Sequence, residues 1–355
     1  MDIEKPGKFQ AINYMLIFIP ISLLLAFFHA GAIYVFVFSI LSLIPIAKYI
    51  GHATENLALQ TSPTLGALMN ATFGNAIELI IAIFALQAGL LEVVKASITG
   101  SIIGNLLLLI GLSMFAGGLR YKEQKFNTDS AGVSSTMLII AVTGLSIPTL
   151  YALTTGGQAT GAISLAVSVV MAVIYILGLV FTLFTHKHLF DVGDEMKKAK
   201  VKPTIAKRTA ILMIFGFTAL AALQSELLVS TIQSASQQIG LTEVFVGVVI
   251  IAIITNIAEK IQAVSFALKD KIDISIEIGT NSATQIALFV VPLIVLISSV
   301  MYRPLTLVFT VFELAAVIFS VLIINYIGSD GRCNWLEGAQ LITVYLIIMI
   351  AFYFI

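Results

Sequence analysis

Two stretches of this 355-residue chain set an asparagine and a glutamate three residues apart within apolar sequence: Asn75 and Glu78 in "ATFGNAIELIIAIFAL", Asn256 and Glu259 in "VVIIAIITNIAEKIQAVSFAL". On a helix, positions i and i+3 share a face, so each stretch sends one amide oxygen and one carboxylate in the same direction. A charged side chain at the centre of a bilayer costs at least about 2.5–3.5 kcal/mol, so these glutamates need a partner or a purpose. Further polar groups follow in each half of the chain: Ser101 and Asn105 in "TGSIIGNLLLLIGL", and Ser282 and Gln285 in "GTNSATQIALFVVPL". Small residues such as Gly74, Gly100 and Gly104 would let helices approach closely or free backbone carbonyls.

Carboxylate, amide and hydroxyl oxygens together suit a hard cation. Ca2+ takes about 6–8 oxygens at about 2.3–2.6 Å and tolerates irregular geometry, whereas Mg2+ sheds its water reluctantly. Sites for softer metals need thiolate or imidazole, but the single Cys333 falls in a loop and none of the four histidines accompanies the glutamates. The candidate metal ligands are therefore Glu78, Glu259, Asn75, Asn256, Asn105 and Gln285, with Ser101 and Ser282 placed on the ion or proton route. Two further acids sit at equivalent helix ends, Glu55 in "GHATENLALQ" and Glu226 in "LQSELLVS". Either they line the route to the centre and relay protons or they are solvated helix ends. Glu277 and Glu313 are read as ordinary carboxylates, the latter answered by a hydroxyl or a lipid headgroup.

The elements that must hold these residues are membrane helices. The chain is 59% hydrophobic and 11% charged, against about 25% charged in soluble domains, and its mean hydropathy is +1.05. Zero formal net charge argues against nucleic acid as a partner; the lipid bilayer is the expected surrounding, and a homo-oligomer is left open. A span needs about 20 mostly apolar residues, and eleven runs qualify: 11–30, 32–51, 63–87, 96–118, 132–152, 159–184, 205–229, 240–268, 273–300, 304–327 and 338–355. The first follows Lys5 and Lys8, but its apolar length exceeds that of a signal peptide, so a retained helix is expected.

Placing the N-terminus and every even-numbered junction on one side gathers Lys5, Lys8, Arg120, Lys122, Lys125, Lys187, Lys197, Lys198, Lys200, Lys202, Lys207, Arg208, Lys269, Lys271 and Arg332 there. Lys95 and Arg303 fall on the other side, and Lys48 and Lys260 within runs. The positive-inside rule then predicts a cytoplasmic N-terminus and an external C-terminus. A basic linker, "HKHLFDVGDEMKKAKVKP", divides the chain, and a shift of 181 residues lays Asn75 on Asn256, Glu78 on Glu259, Glu92 on Asp273 and Ser101 on Ser282. With five runs on each side, the second half enters the membrane from the opposite face. The expected fold class is an all-α polytopic membrane protein: an extra N-terminal helix (1–30), a first five-helix repeat (31–185), a linker (186–204) and an inverted second repeat (205–355). Inverted repeats are a mark of secondary transporters, whose sites lie near the midplane where the repeats meet.

These residues resemble a known family. "GNAIELI" with "TGSIIGN", and "NIAEK" with "SATQIALFVVP", look like the paired signature repeats of the cation/proton exchangers, the Ca2+/H+ antiporters of the cation/Ca2+ exchanger superfamily. The likeness extends to the glutamates of "ATENLA" and "SELL" and covers nearly the whole chain. It departs at the second repeat, where the family pattern Gly-Asn-x-x-Glu-His meets Thr255 and Lys260. Lys260 is about 100° around the helix from Glu259, so its ammonium is expected to snorkel away from the ion. The acidic stretch of the family's central linker is reduced here to Asp191, Asp194 and Glu195.

The resemblance implies an antiporter, not an enzyme, that exchanges cytoplasmic Ca2+ for external protons by alternating access, its metal and protons being cargo and no cofactor being needed. A Na+/Ca2+ exchanger of the same superfamily is the alternative, disfavoured because neither Glu78 nor Glu259 follows a proline; a cation channel is a distant third. The expected location is a prokaryotic plasma membrane.

Overall fold

The computed structural model describes residues 12–186 and 203–355, so the extreme N-terminal lysines and most of the expected linker lie outside the described residues. The chain is a multi-pass, all-helical membrane protein. In hydrocarbon every backbone N–H and C=O must be satisfied within the protein, and helices do this segment by segment.

Helices α1 (Ile12–Phe27) and α2 (Ala32–Ala58) are followed by α3 (Pro63–Phe73), α4 (Ala76–Gln87), α5 (Leu91–Arg120), α6 (Thr128–Thr155) and α7 (Thr160–Thr185). The second half holds α8 (Lys207–Ile239), α9 (Glu243–Thr255), α10 (Ile257–Ala267), α11 (Ile272–Val300), α12 (Val311–Ile327) and α13 (Trp335–Tyr353). Among the described residues, α2, α5, α6, α7, α8, α11 and α13 are each long and apolar enough to cross a membrane. Helices α9 and α10 meet the same test together, bent by 55° at the break between them, and α1, α4 and α12 are shorter apolar helices.

Long helices α2 and α8 lie against each other, with the rings of Tyr49 and Phe217 stacked at 4.7 Å. Helix α1 packs on α2 and is pinned to α8 where Ser22 Oγ donates to Gln224 Oε1 at 2.7 Å. Helix α5 crosses the α9 backbone so closely at Gly100 that a Cβ there would collide with the Val248 carbonyl. At one end of the bundle three connections are knitted together. Strand β1 (Gln124–Lys125) pairs antiparallel with β2 (Arg332–Cys333), and Gln124 Nε2 donates to Ala267 O and Asp270 Oδ1.

The tenth apolar run departs from expectation. Its apolar length predicts a helix from residue 304, yet α12 begins at Val311 and residues 303–310 are non-helical. Pro304 disfavours helical backbone in the residue before it, and hydroxyls of neighbouring helices take over backbone bonds that a helix would have made. Leu305 N donates to Ser298 Oγ, Leu307 N to Ser164 Oγ and Phe309 N to Thr149 Oγ1, while Thr149 Oγ1 donates to Leu307 O. With those groups satisfied, the side chains of Leu305, Leu307 and Phe309 can all be buried.

Candidate functional site

Both Asn-x-x-Glu stretches fall at helix breaks. Asn75 (φ −108°, ψ 25°) separates α3 from α4, and Asn256 (φ −96°, ψ 14°) separates α9 from α10. Each asparagine is therefore the N-cap of a half-helix, and Glu78 and Glu259 stand in the first turns, at the partly positive end of the helix dipole. Asparagine followed three residues later by glutamate is also a capping-box pattern. Neither asparagine side chain caps its helix.

They are engaged elsewhere. Asn75 Nδ2 donates to Gln285 Oε1 at 2.9 Å. Asn256 Nδ2 donates to Ser101 Oγ at 3.2 Å, Thr255 Oγ1 at 3.0 Å and Ala252 O at 3.1 Å. Asn105 Nδ2 donates to Ser282 Oγ at 2.8 Å and Asn256 Oδ1 at 3.2 Å. The Thr255 hydroxyl lies near the Glu78 carboxylate and the Ser282 hydroxyl near that of Glu259, and the two carboxylates lie within electrostatic reach of each other. The structure thus brings together Asn75, Glu78, Ser101, Asn105, Asn256, Glu259, Ser282 and Gln285 from four broken or distorted segments.

Three of those segments contain a wide π turn, α5 at Gly104–Leu109, α9 at Val246–Ile251 and α11 at Ile286–Val290. Single π turns inside α-helices often mark functional sites. Several buried acceptors at the centre have no donor among the described residues: Asn75 Oδ1, Asn105 Oδ1 and Glu259 Oε2. Buried oxygens are ordinarily satisfied, and carboxylate and amide oxygens are the ligands that a hard cation takes. A narrow cavity touches Glu78, Ser97, Ser101 and Thr255 on its polar wall and isoleucines elsewhere. Ser97 escapes a reading of the sequence because a lone serine in an apolar run carries no local signal of what it faces.

Two other motifs of the same local form do cap. Thr310 Oγ1 accepts from Glu313 N while Glu313 Oε2 accepts from Thr310 N, and Asn334 and Glu337 do the same at α13. Of the two answers the sequence leaves open for Glu313 the structure shows the hydroxyl, Thr310 Oγ1 donating to Glu313 Oε2 at 2.9 Å, and Glu277 accepts from Ser130 Oγ at 3.0 Å. Glutamine can replace glutamate in a capping box. Glu313→Gln should therefore leave ion exchange at the wild-type rate and lower stability by under about 1 kcal/mol, measured as flux and melting temperature on the same preparation; lost flux would put Glu313 on the ion path.

Glu55 and Glu226 sit on exposed positions of α2 and α8, the two long helices that pair. Lys260 corrects an expectation. Instead of snorkelling outward it is buried, 6% exposed, within electrostatic reach of both Glu259 and Glu78. Rotation about the α10 axis does separate Lys260 from Glu259, but it turns the lysine toward α5, where Nζ comes to rest beside Gly104: a Cβ on Gly104 would stand 3.8 Å from it, in ordinary contact.

A family profile described as "Sodium/calcium exchanger protein" matches residues 31–184 and 209–354. A Ca(2+)/H(+) antiporter of Aphanothece halophytica is 43% identical, the match covering 96% of this chain and 95% of the relative. The Ca(2+)/H(+) antiporter ChaA of Bacillus subtilis is 40% identical over 94% of this chain and 96% of the relative. The structure of native YfkE superposes with a TM-score of 0.85 at 36% identity, covering 97% of this chain and 99% of that one.

Proposed function

The chain belongs to the sodium/calcium exchanger protein family, and from that premise we propose that it exchanges Ca2+ for protons at a site built on Glu78 and Glu259. The observation that carries this reading is the paired half-helix start: two asparagines withdrawn from capping, each three residues before a glutamate that lies within electrostatic reach of the other. Relatives at 40–43% identity over nearly the full length carry the name Ca2+/H+ antiporter, which supports protons over Na+ as the counter-ion.

Ca2+ is held between the two carboxylates, with Asn75, Asn105, Asn256 and Gln285 supplying neutral oxygens. When it leaves, two negative charges remain close together in a poorly solvated site, a state relieved by protonating the carboxylates. Metal and protons therefore occupy the same groups in turn. A filled site reorients readily, whereas an empty, doubly charged one is costly to carry through the bilayer, and this difference couples the two fluxes. With an inward proton gradient the cycle expels Ca2+. Glu55 and Glu226 line the approaches, and Ser101 and Ser282 hand the ion between the amides and carboxylates.

The architecture proposed is eleven crossings, an extra helix (1–30) and inverted repeats (31–185 and 205–355) joined by a linker (186–204), with the N-terminus in the cytoplasm of a bacterial plasma membrane. Three features support it: the lysine and arginine distribution, the helix breaks 181 residues apart at Asn75 and Asn256, and the π turns at corresponding places in α5 and α11. The α2–α8 pair slides past the fixed site to alternate access. A reporter fused after Ile355 should accordingly lie outside the cytoplasm and one inserted between Lys198 and Lys202 inside. Both on one side would break the inverted topology.

Function itself is tested with proteoliposomes holding a pH dye. External Ca2+ should alkalinise the interior as protons leave in exchange. Ca2+ entry that depends on internal Na+ and leaves internal pH unchanged would instead assign Na+/Ca2+ exchange, and unsaturable flux a channel.

A further inference from the structure

The Lys260 side chain is a buried cation beside a site for cations. Its Nζ has no hydrogen-bond partner among the described residues, although burying an ammonium without oxygen contacts is costly. The negative charges that act on it are those of Glu259 and Glu78. Across from it, α5 presents Gly104, the residue that opens the π turn and precedes Asn105. The ammonium therefore rests one residue from the proposed ligand Asn105, at the end of a flexible four-carbon stem.

We propose that Lys260 is a tethered cation that competes with Ca2+ for the Glu78–Glu259 pair and sets the affinity of the site. The proposal rests on the reading of those glutamates as the ion site. In the Ca2+-free protein the ammonium stands beside Gly104, bonded to neither carboxylate but within their electrostatic reach, and offsets part of their charge. An arriving Ca2+ meets its repulsion, since like charges a few ångströms apart in a medium less polar than water interact strongly. Every Ca2+ bound must therefore overcome a charge that the protein itself supplies. The consequence is a weaker site with faster release, suited to unloading Ca2+ where it is already abundant. Lys260 acts through charge on an ion it does not ligate, and so is a specificity-determining residue rather than a metal ligand.

Three variants separate charge from shape. Lys260→Met and Lys260→Gln remove the charge at similar length, and Lys260→Arg keeps it. Half-saturating Ca2+ is read from exchange in proteoliposomes at one fixed pH, and independently from the Ca2+ concentration that raises the melting temperature of the detergent-solubilised protein. Both neutral variants should need at least tenfold less Ca2+ in both measurements, with a lower maximal exchange rate because release slows. Lys260→Arg should stay at the wild-type concentration or above it. A lysine that merely fills space predicts no tightening on its removal.

The proposal is overturned if either neutral variant stays within twofold of wild type, or if arginine tightens binding as methionine does. Failure of both neutral variants to fold would equally contradict it, because the ammonium would then be holding the bundle together. If wild-type protein moves no protons with Ca2+, the antiport reading itself fails. If wild type exchanges, Glu259→Gln does not and the neutral variants are unchanged, the fault lies with the role of Lys260 alone.

Discussion

Glu78→Gln and Glu259→Gln should each abolish Ca2+-driven proton movement, a loss of at least about 100-fold, equivalent to roughly 2.7 kcal/mol, while the protein elutes and melts as wild type does. Each change keeps the shape of the side chain but removes one of the two charges that balance Ca2+ and one of the two groups that take up protons. Both legs of the cycle suffer at once. Folding should survive because the half-helices are not held by these carboxylates: the asparagines before them do not cap, and the surrounding amides and hydroxyls bond one another. Glu313→Gln serves as the matched control, being a change of the same chemistry at a capping box. Wild-type exchange by either site variant would make the Asn-x-x-Glu pairs structural.

Enlarging Gly100 should damage the fold itself. Helix α5 meets α9 backbone to backbone at this residue, and the atoms that a Cβ would strike belong to Val248 main chain rather than to a side chain that could turn aside. Overpacking a core typically costs about 1–3 kcal/mol. The cost here should reach the upper end for Gly100→Ala, and Gly100→Val should yield no monodisperse protein, because relief requires moving a helix whose π turn and neighbouring Ser101 position the site. Gly51 and Gly216 provide the contrast: each lies within a long helix, and a Cβ there would meet no other atom within 4 Å. Alanine at either position should be neutral or stabilising by up to about 1 kcal/mol. A Gly100→Ala protein as stable as those two would show that α5 and α9 do not approach so closely in the membrane.

Much of the candidate site is legible in the sequence because polar residues in apolar runs are few and their spacing survives translation into a helix. Asn75, Glu78, Asn256 and Glu259 stand out in this way, and the structure brings their side chains to one place with Ser101, Asn105, Ser282 and Gln285. What the local pattern does not reveal is which use an Asn-x-x-Glu or Thr-x-x-Glu motif serves. At Asn334 and Thr310 the side chain bonds its own helix start, whereas at Asn75 and Asn256 partners on other helices outcompete the cap. Lys260 is misplaced by sequence reasoning for a related cause. It rests against Gly104, some 150 residues earlier in the chain, and helical periodicity gives only an angle, not the neighbour at that angle. The extended segment before α12 likewise depends on hydroxyls from three other helix positions, Thr149, Ser164 and Ser298, that no single-window reading connects.

The central claim, that Ca2+ and protons share one pair of carboxylates, is tested most directly by counting protons released when Ca2+ binds to purified protein in a weakly buffered dye solution. Wild-type protein should release protons in proportion to Ca2+ bound and reach a plateau as the site saturates, and the Glu78→Gln, Glu259→Gln double variant should release none. Ca2+ binding without proton release by the wild type at any pH between about 5 and 8, or undiminished release by the double variant, would contradict the account.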